Sequence, residues 1–198
     1  ARVEGGEVLA LTGPNGSGKT TLALTLGGLI APAAGEVRAT PLLAAGAGPF
    51  PIRWRSRELL TRIGSVFQTP EHQFLAATVR DELAIGPRAL GLPTAEVTAR
   101  VDELLARLGL QALAAANPFT LSGGQQRRLS VGAVLAARPR VLVLDEPTFG
   151  QDAVTWGGLV ALLEELRSRG TAVVAATHDR RLIAAVGAHE LAMTGVPA

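Results

Sequence analysis

The chain has 198 residues, 47% of them hydrophobic, with 23 glycines, 12 prolines and no cysteine. That length supports one domain with a full apolar core and is short for two, and the composition excludes a disordered chain, a disulfide framework, a thiolate metal site and a cysteine nucleophile. Lysine and arginine number 19 against 17 acidic residues, and a net charge of +2 is too small to argue for nucleic acid as a partner.

No apolar run approaches the ~20 residues of a membrane-spanning helix, and no signal peptide opens the sequence. The first residue is Ala1 rather than Met, so the chain reads as a fragment or as half of a fusion. Residues 8–12 (Val-Leu-Ala-Leu-Thr) form an apolar run before a glycine-rich loop, which predicts a buried parallel strand, with a helix over residues 20–30. A short strand is expected at residues 35–38, loop at 40–51 and a second apolar strand at 63–67. Residues 53–57 hold three arginines around Trp54, and a solvated loop face is the expectation for so short a run.

From Thr78 to Arg138 the pattern is helical. Val97, Val101, Leu104, Leu105 and Leu108 share one face, with Thr94 as a candidate N-cap. A strand over residues 140–144, a helix over 154–169, a strand over 171–177 and a helix over 180–186 complete an alternation interrupted by one helical insertion. The expected class is an α/β P-loop fold, a mostly parallel sheet with an inserted helical subdomain. Residues 1–198 are read as one domain and 69–139 as the subdomain.

Gly13-Pro14-Asn15-Gly16-Ser17-Gly18-Lys19-Thr20 fits G-x-x-x-x-G-K-[ST] between a predicted strand and a predicted helix, the context a phosphate-binding loop requires. Its glycines let successive N–H groups face a polyphosphate at a helix N-terminus. Lys19 can reach the β- and γ-phosphates and the Thr20 hydroxyl can ligate Mg²⁺. The strand ending in Asp145 and Glu146 would present two carboxylates at the open edge of a parallel sheet. Asp145 suits the Mg²⁺ shell, and Glu146 could polarise an attacking water. In Leu121-Ser122-Gly123-Gly124-Gln125, Ser122 and Gln125 have capping-box spacing, yet two glycines in a first helical turn are poor helix formers. Close approach of a ligand to bare backbone explains them better.

Taken together these motifs resemble the ABC ATPases, whose LSGGQ signature Leu121 to Gln125 match without departure. The resemblance implies ATP and Mg²⁺ as ligands, Thr21 among the ATP-binding residues, and two domains paired head to tail, so that Ser122 to Gln125 contact ATP held by another domain. That partner would be a second copy, a homologue or a fused tandem domain. It further implies that Gln68 is a Q-loop glutamine touching Mg²⁺ and water, that His178 senses the γ-phosphate, and that Asp152 belongs to the D-loop. Gln151 departs from the small apolar residue usual there, and the family's adenine-stacking aromatic lies upstream of the phosphate loop, in sequence this chain does not contain.

The run Thr69-Pro70-Glu71-His72-Gln73-Phe74 and Ala77-Thr78-Val79-Arg80-Asp81-Glu82 is similar to the ATPase subunits of energy-coupling-factor importers. That likeness implies a transmembrane partner subunit and a place at the cytoplasmic face of a membrane. An ABC exporter ATPase, a non-transport ABC ATPase of DNA repair or translation, and a module that binds ATP without turnover stay open as alternatives. The short spacing between Lys19 and Ser122, without sustained heptads, counts against the coiled-coil DNA-repair type.

Overall fold

The computed structural model describes residues 1–148 and 153–194. Two compact units divide the chain, one of residues 1–68 with 139–198, the other of residues 69–138. The strands are β1 (Val8–Thr12), β2 (Ile63–Val66), β3 (Val141–Asp145), β4 (Ala172–Ala176) and β5 (His189–Ala192). The helices are α1 (Lys19–Leu26), α2 (Pro41–Ala44), α3 (Ser56–Leu60), α4 (Val79–Ala89), α5 (Thr94–Leu108), α6 (Gly123–Leu135), α7 (Ala153–Ser168) and α8 (Arg180–Ala185). No helix among the described residues is long and apolar enough to cross a membrane.

Among the described residues the five strands belong to one parallel sheet in the order β2-β3-β4-β1-β5. β1 and β4 are buried at every position, which is why both read as continuous apolar runs rather than as alternation. Helix α1 packs on β1, β3 and β4, and α7 packs on β4. A core cluster of this unit joins Leu9, Leu11, Ala23, Ile63, Val143 and Val174 with the indole of Trp54. Trp54 is therefore a core residue, its Nε1–H donating to the Gly48 carbonyl at 2.9 Å and the Arg62 guanidinium standing over its ring at 5.4 Å. The arginine cluster around it is no aromatic-interleaved binding face.

Several boundaries differ from the expectations. Helix α1 stops at Leu26 because Gly27 and Gly28 close it, Gly28 at φ 71° with its N–H on the Thr25 carbonyl. Residues 35–38 form no strand; the Arg38 guanidinium instead pairs with the Glu36 carboxylate and stacks over Phe50. The expected loop at 40–51 contains α2, started by Pro41 and by the Thr40 hydroxyl accepting from Leu43 N. Thr94 is the first residue of α5 rather than its cap, since the Pro93 carbonyl already accepts the first helical bond from Val97 N. Edge strand β5 has no apolar run to announce it, and three of its four residues are exposed.

In the second unit α4, α5 and α6 pack on one another. The predicted stripe of Val97, Val101, Leu104, Leu105 and Leu108 is the buried face of α5. A side chain at Gly132 of α6 would run into Leu108 Cδ1 and stand 3.0 Å from Leu83 Cδ2, so the missing Cβ sets how closely these helices approach. The carboxylate of Glu82, itself buried, accepts the Leu75 and Ala76 N–H groups at 2.8 Å each.

Leu142 in β3 is wholly buried, and Leu142→Ala is expected to cost about 2–5 kcal/mol of stability through the cavity it opens. Urea denaturation measures this, and an unchanged midpoint would show that the sheet can collapse around the loss.

Candidate functional site

The site begins where β1 runs out. Residues 13–18 lead from Thr12 to α1, with Gly13, Gly16 and Gly18 at φ 142°, 78° and 89°. A Cβ at Gly13 would collide with the Met193 carbonyl oxygen and crowd the Ser17 hydroxyl at 3.0 Å, so only glycine fits at the foot of this loop. At Gly16 a Cβ would meet nothing within 4 Å, which leaves the crest of the loop open to a guest. The Pro14 carbonyl closes the turn by accepting from Ser17 N at 3.2 Å, with Asn15 exposed between them. Gly18 caps α1, whose first turn carries no acidic side chain of its own, and the positive N-terminal end of the helix favours an anion at the loop.

Lys19 is buried, and its ammonium donates to the carbonyls of Gly13 at 2.9 Å and Pro14 at 3.0 Å, two of its three donors. The cation thus lies inside the loop. Thr20 and Thr21 are exposed. The Thr20 hydroxyl donates to Asp145 Oδ1 at 3.1 Å, across 125 residues of sequence.

Sheet register makes that contact possible. Asp145 pairs with Ala176 on β4, and Ala176 pairs with Leu11 on β1, so the C-terminal ends of three adjacent strands lie level at one edge. Just past that edge, Glu146 takes φ 45° and donates its N–H to the Ala176 carbonyl at 2.8 Å. Its carboxylate is buried. His178 Nδ1 lies 3.0 Å from both carboxylate oxygens, with hydrogen-bond geometry to Oε1 alone, and Oε2 has no hydrogen-bond partner. The buried Ser17 hydroxyl is likewise unpartnered.

Gln68 follows β2, the neighbour of β3 in the sheet, two residues beyond its end. Asp152 lies outside the described residues, as does Gln151. The sheet edge therefore brings the glycine loop, Thr20, Asp145, Glu146 and His178 together, although they come from three separated stretches of sequence.

In the second unit, Ser122 caps α6 through a complete capping box. Its Oγ accepts from Gln125 N at 3.4 Å and the Gln125 side chain accepts from Ser122 N at 2.9 Å. Leu121 is buried beneath the turn. A Cβ at Gly123 would meet nothing within 4 Å, so internal packing does not require that glycine; Gly124 follows it in the same helical turn. Sequence reading missed Gln126, which is buried and donates to Glu71 Oε1 and the Pro118 carbonyl, both at 3.3 Å.

It also missed what Asp179 does. Its carboxylate caps α8 by accepting from Arg181 N at 2.9 Å and Leu182 N at 3.1 Å, and it accepts from Trp156 Nε1 at 2.9 Å. Burial works to raise its pKa, but the bonds from Trp156, Leu182, Thr148 and Arg181 outweigh that and hold it below the ordinary carboxyl value.

A buried parallel strand, a glycine loop that ends in a lysine at a helix start, and a hydroxyl–carboxylate pair at the next strand end define a P-loop nucleotide-binding α/β protein. The family model described as ABC transporter matches residues 1–149, and the chain belongs to that family. The energy-coupling factor transporter ATP-binding protein EcfA of Methanocaldococcus jannaschii is 40% identical over 185 residues, 92% of this chain and 63% of that protein. Among solved structures, cbiO1 of Clostridium perfringens, part of the ABC transporter complex cbiONQ, has a TM-score of 0.80 at 31% identity, covering 98% of this chain and 76% of that one. A dimeric ATP-binding cassette in a post-hydrolysis state bound to ADP and Pi has a TM-score of 0.85 at 27% identity, covering 98% and 84%. The chain spans 57% to 65% of the length of the first three curated relatives it matches.

Because the folded-state pKa of Asp179 lies below that of the unfolded chain, about 3.9, its contribution to stability is complete well above that value and is lost as pH falls through the folded-state pKa. Urea midpoints of wild type and Asp179→Asn should therefore differ at neutral pH and converge on acidification. A gap that stays constant down to acid pH would remove this carboxylate from the pH dependence.

Proposed function

We propose that this chain is the ATP-hydrolysing domain of an ABC transporter of the energy-coupling-factor importer type, working as one half of a pair. The observation that carries the hydrolytic part is the buried Glu146 carboxylate. His178 stands against both of its oxygens, hydrogen-bonded to one, and the other has no hydrogen-bond partner, beside the Thr20–Asp145 contact and the phosphate loop. The importer part is supported by the 40% identity to EcfA and by the segment from Glu71 to Phe74.

The donor chemistry fits Mg²⁺. Thr20 and Asp145 offer a hydroxyl and a carboxylate converging to 3.1 Å, hard oxygen donors of the kind Mg²⁺ takes from protein when phosphates and water complete its shell. Thr20, Asp145 and Gln68 would hold the ion, which when bound neutralises charge on the β- and γ-phosphate oxygens. Around ATP, residues 13–21 cradle the phosphates through their backbone N–H groups, Pro14 excepted, and Lys19 exchanges the Gly13 and Pro14 carbonyls for the β- and γ-phosphates. Glu146 accepts a hydrogen bond from the water that attacks the γ-phosphate in line, and His178 keeps the carboxylate turned toward it. Ser122 to Gln125 of a second domain, identical or homologous, close over the γ-phosphate with Leu121 beneath them, and Asp152 serves as the D-loop aspartate. On this reading residues 69–139 are the helical subdomain of a single ABC ATPase domain.

The membrane subunit would dock on the second unit at the cytoplasmic face. There Leu75 is 81% exposed and Phe119 55% exposed, with Phe119 set edge-on to Phe74 at 5.8 Å. The buried Glu82 and Gln126 hold the backbone on either side.

Glu146→Gln is expected to lower turnover about 10²–10⁴-fold while ATP-dependent pairing persists in size-exclusion chromatography; hydrolysis near the wild-type rate would remove Glu146 from the mechanism. Leu75→Asp is expected to abolish copurification with the membrane subunit and leave thermal unfolding unchanged. Retained copurification would place the docking surface elsewhere.

A further inference from the structure

His178 is poorly supported by packing for a residue that must hold a carboxylate. Its side chain is 65% exposed, and it sits in the short connection between β4 and α8, a helix of six residues that is too short to order itself. The order of this segment comes from its neighbour. Asp179 Oδ1 takes the two N–H groups at the start of α8, and that bond pattern is all an N-cap needs. Capping leaves Oδ2 unexplained.

Oδ2 accepts instead from the indole Nε1–H of Trp156 at 2.9 Å, in α7 and 23 residues earlier. The Arg181 guanidinium covers the face of the same indole at 4.8 Å. The Thr148 side chain is also hydrogen-bonded to Asp179, and Thr148 lies two residues beyond Glu146. Asp179 N in turn donates to the Thr177 hydroxyl at 3.1 Å, with Thr177 fully buried. One carboxylate thus ties the segment that follows Glu146, helix α7 and the first turn of α8, with His178 as its immediate neighbour in the chain.

We propose that Trp156 and Asp179 are positioning residues for hydrolysis: the indole–carboxylate bond fixes the turn that carries His178, so that its Nδ1 stays on the Glu146 carboxylate. Neither residue touches the reacting atoms. The proposal rests on the reading of Glu146 and His178 as the hydrolytic pair, and it assigns to α7 a direct mechanical hold on that pair.

Trp156→Phe deletes the N–H while keeping the aromatic surface, and is tested on the full-length protein with its partner subunits. It is expected to lower kcat about ten- to hundredfold, the cost of a small misplacement in a preorganised site, with KM for ATP within about twofold of wild type. In a His178→Ala background the same change should cost nothing further, because the two act through one contact. Wild-type kcat in Trp156→Phe, or a loss that multiplies in the His178→Ala background, would overturn the proposal. Asp179→Asn leaves one acceptor oxygen, enough for the α8 cap, and sets an amide N–H₂ against the indole N–H, so it should lower kcat as Trp156→Phe does; wild-type kcat in Asp179→Asn would reduce Asp179 to a helix cap. A crystal structure of Trp156→Phe reads the geometry without any turnover: a displaced imidazole is expected, and one still 3.0 Å from Glu146, the present separation, would defeat the proposal. Absence of hydrolysis in the wild-type protein would sink the functional reading by itself, with the crystal structure still deciding the positioning claim.

Discussion

Ala176 pairs on one side with Asp145 of β3 and on the other with Leu11 of β1. Its carbonyl takes the Glu146 N–H, and the next residue, Thr177, donates to the Leu11 carbonyl. Everything chemical in the first unit depends on that level edge. A parallel sheet aligns the C-terminal ends of its strands, and the chain must leave each strand there through a loop whose N–H groups are free to meet a ligand. A slip of one residue in β4 would carry His178 past Glu146 and turn every β4 side chain to the opposite face of the sheet.

The polar groups at this edge are arranged against their own stability. Glu146 holds a left-handed backbone conformation, which costs a non-glycine residue about 1–3 kcal/mol. Ser17 Oγ is buried without a hydrogen-bond partner, a cost of roughly 1–3 kcal/mol for such a group, and Glu146 Oε2 has no hydrogen bond beyond its contact with His178. Lys19 is buried against loop carbonyls. A strained backbone, a carboxylate oxygen without a hydrogen bond and a buried cation around one sheet edge describe a site prepared for a charged guest rather than one optimised to be stable alone.

The second unit solves a different problem. It must present two features, a glycine-bearing helix start and an exposed apolar loop, without letting either fray. The capping box of Ser122 and Gln125 stabilises the first. Glu82 accepting two loop N–H groups, together with Gln126 joining Glu71 to the Pro118 carbonyl, stabilises the second. Buried polar side chains that satisfy loop backbone let exposed residues such as Leu75 hold position without packing of their own.

What the sequence by itself determined were the features whose physics is local: the glycine loop between strand and helix, the strand ending in Asp145 and Glu146, the capping box at Ser122 and the apolar stripe of α5. Each is written within a few residues, by period, by glycine placement or by cap spacing. Strand β5 was not legible, because an edge strand borrows its order from β1 and needs no apolar run. The absent strand at residues 35–38 was settled by nearby contacts that propensity does not encode, whereas the early end of α1 was written locally in Gly27 and Gly28. Only the tertiary structure decided that Thr20 meets Asp145, that His178 meets Glu146 and that Trp156 holds Asp179, since those contacts join residues far apart in the chain and exist only once three parallel strands have been set in register.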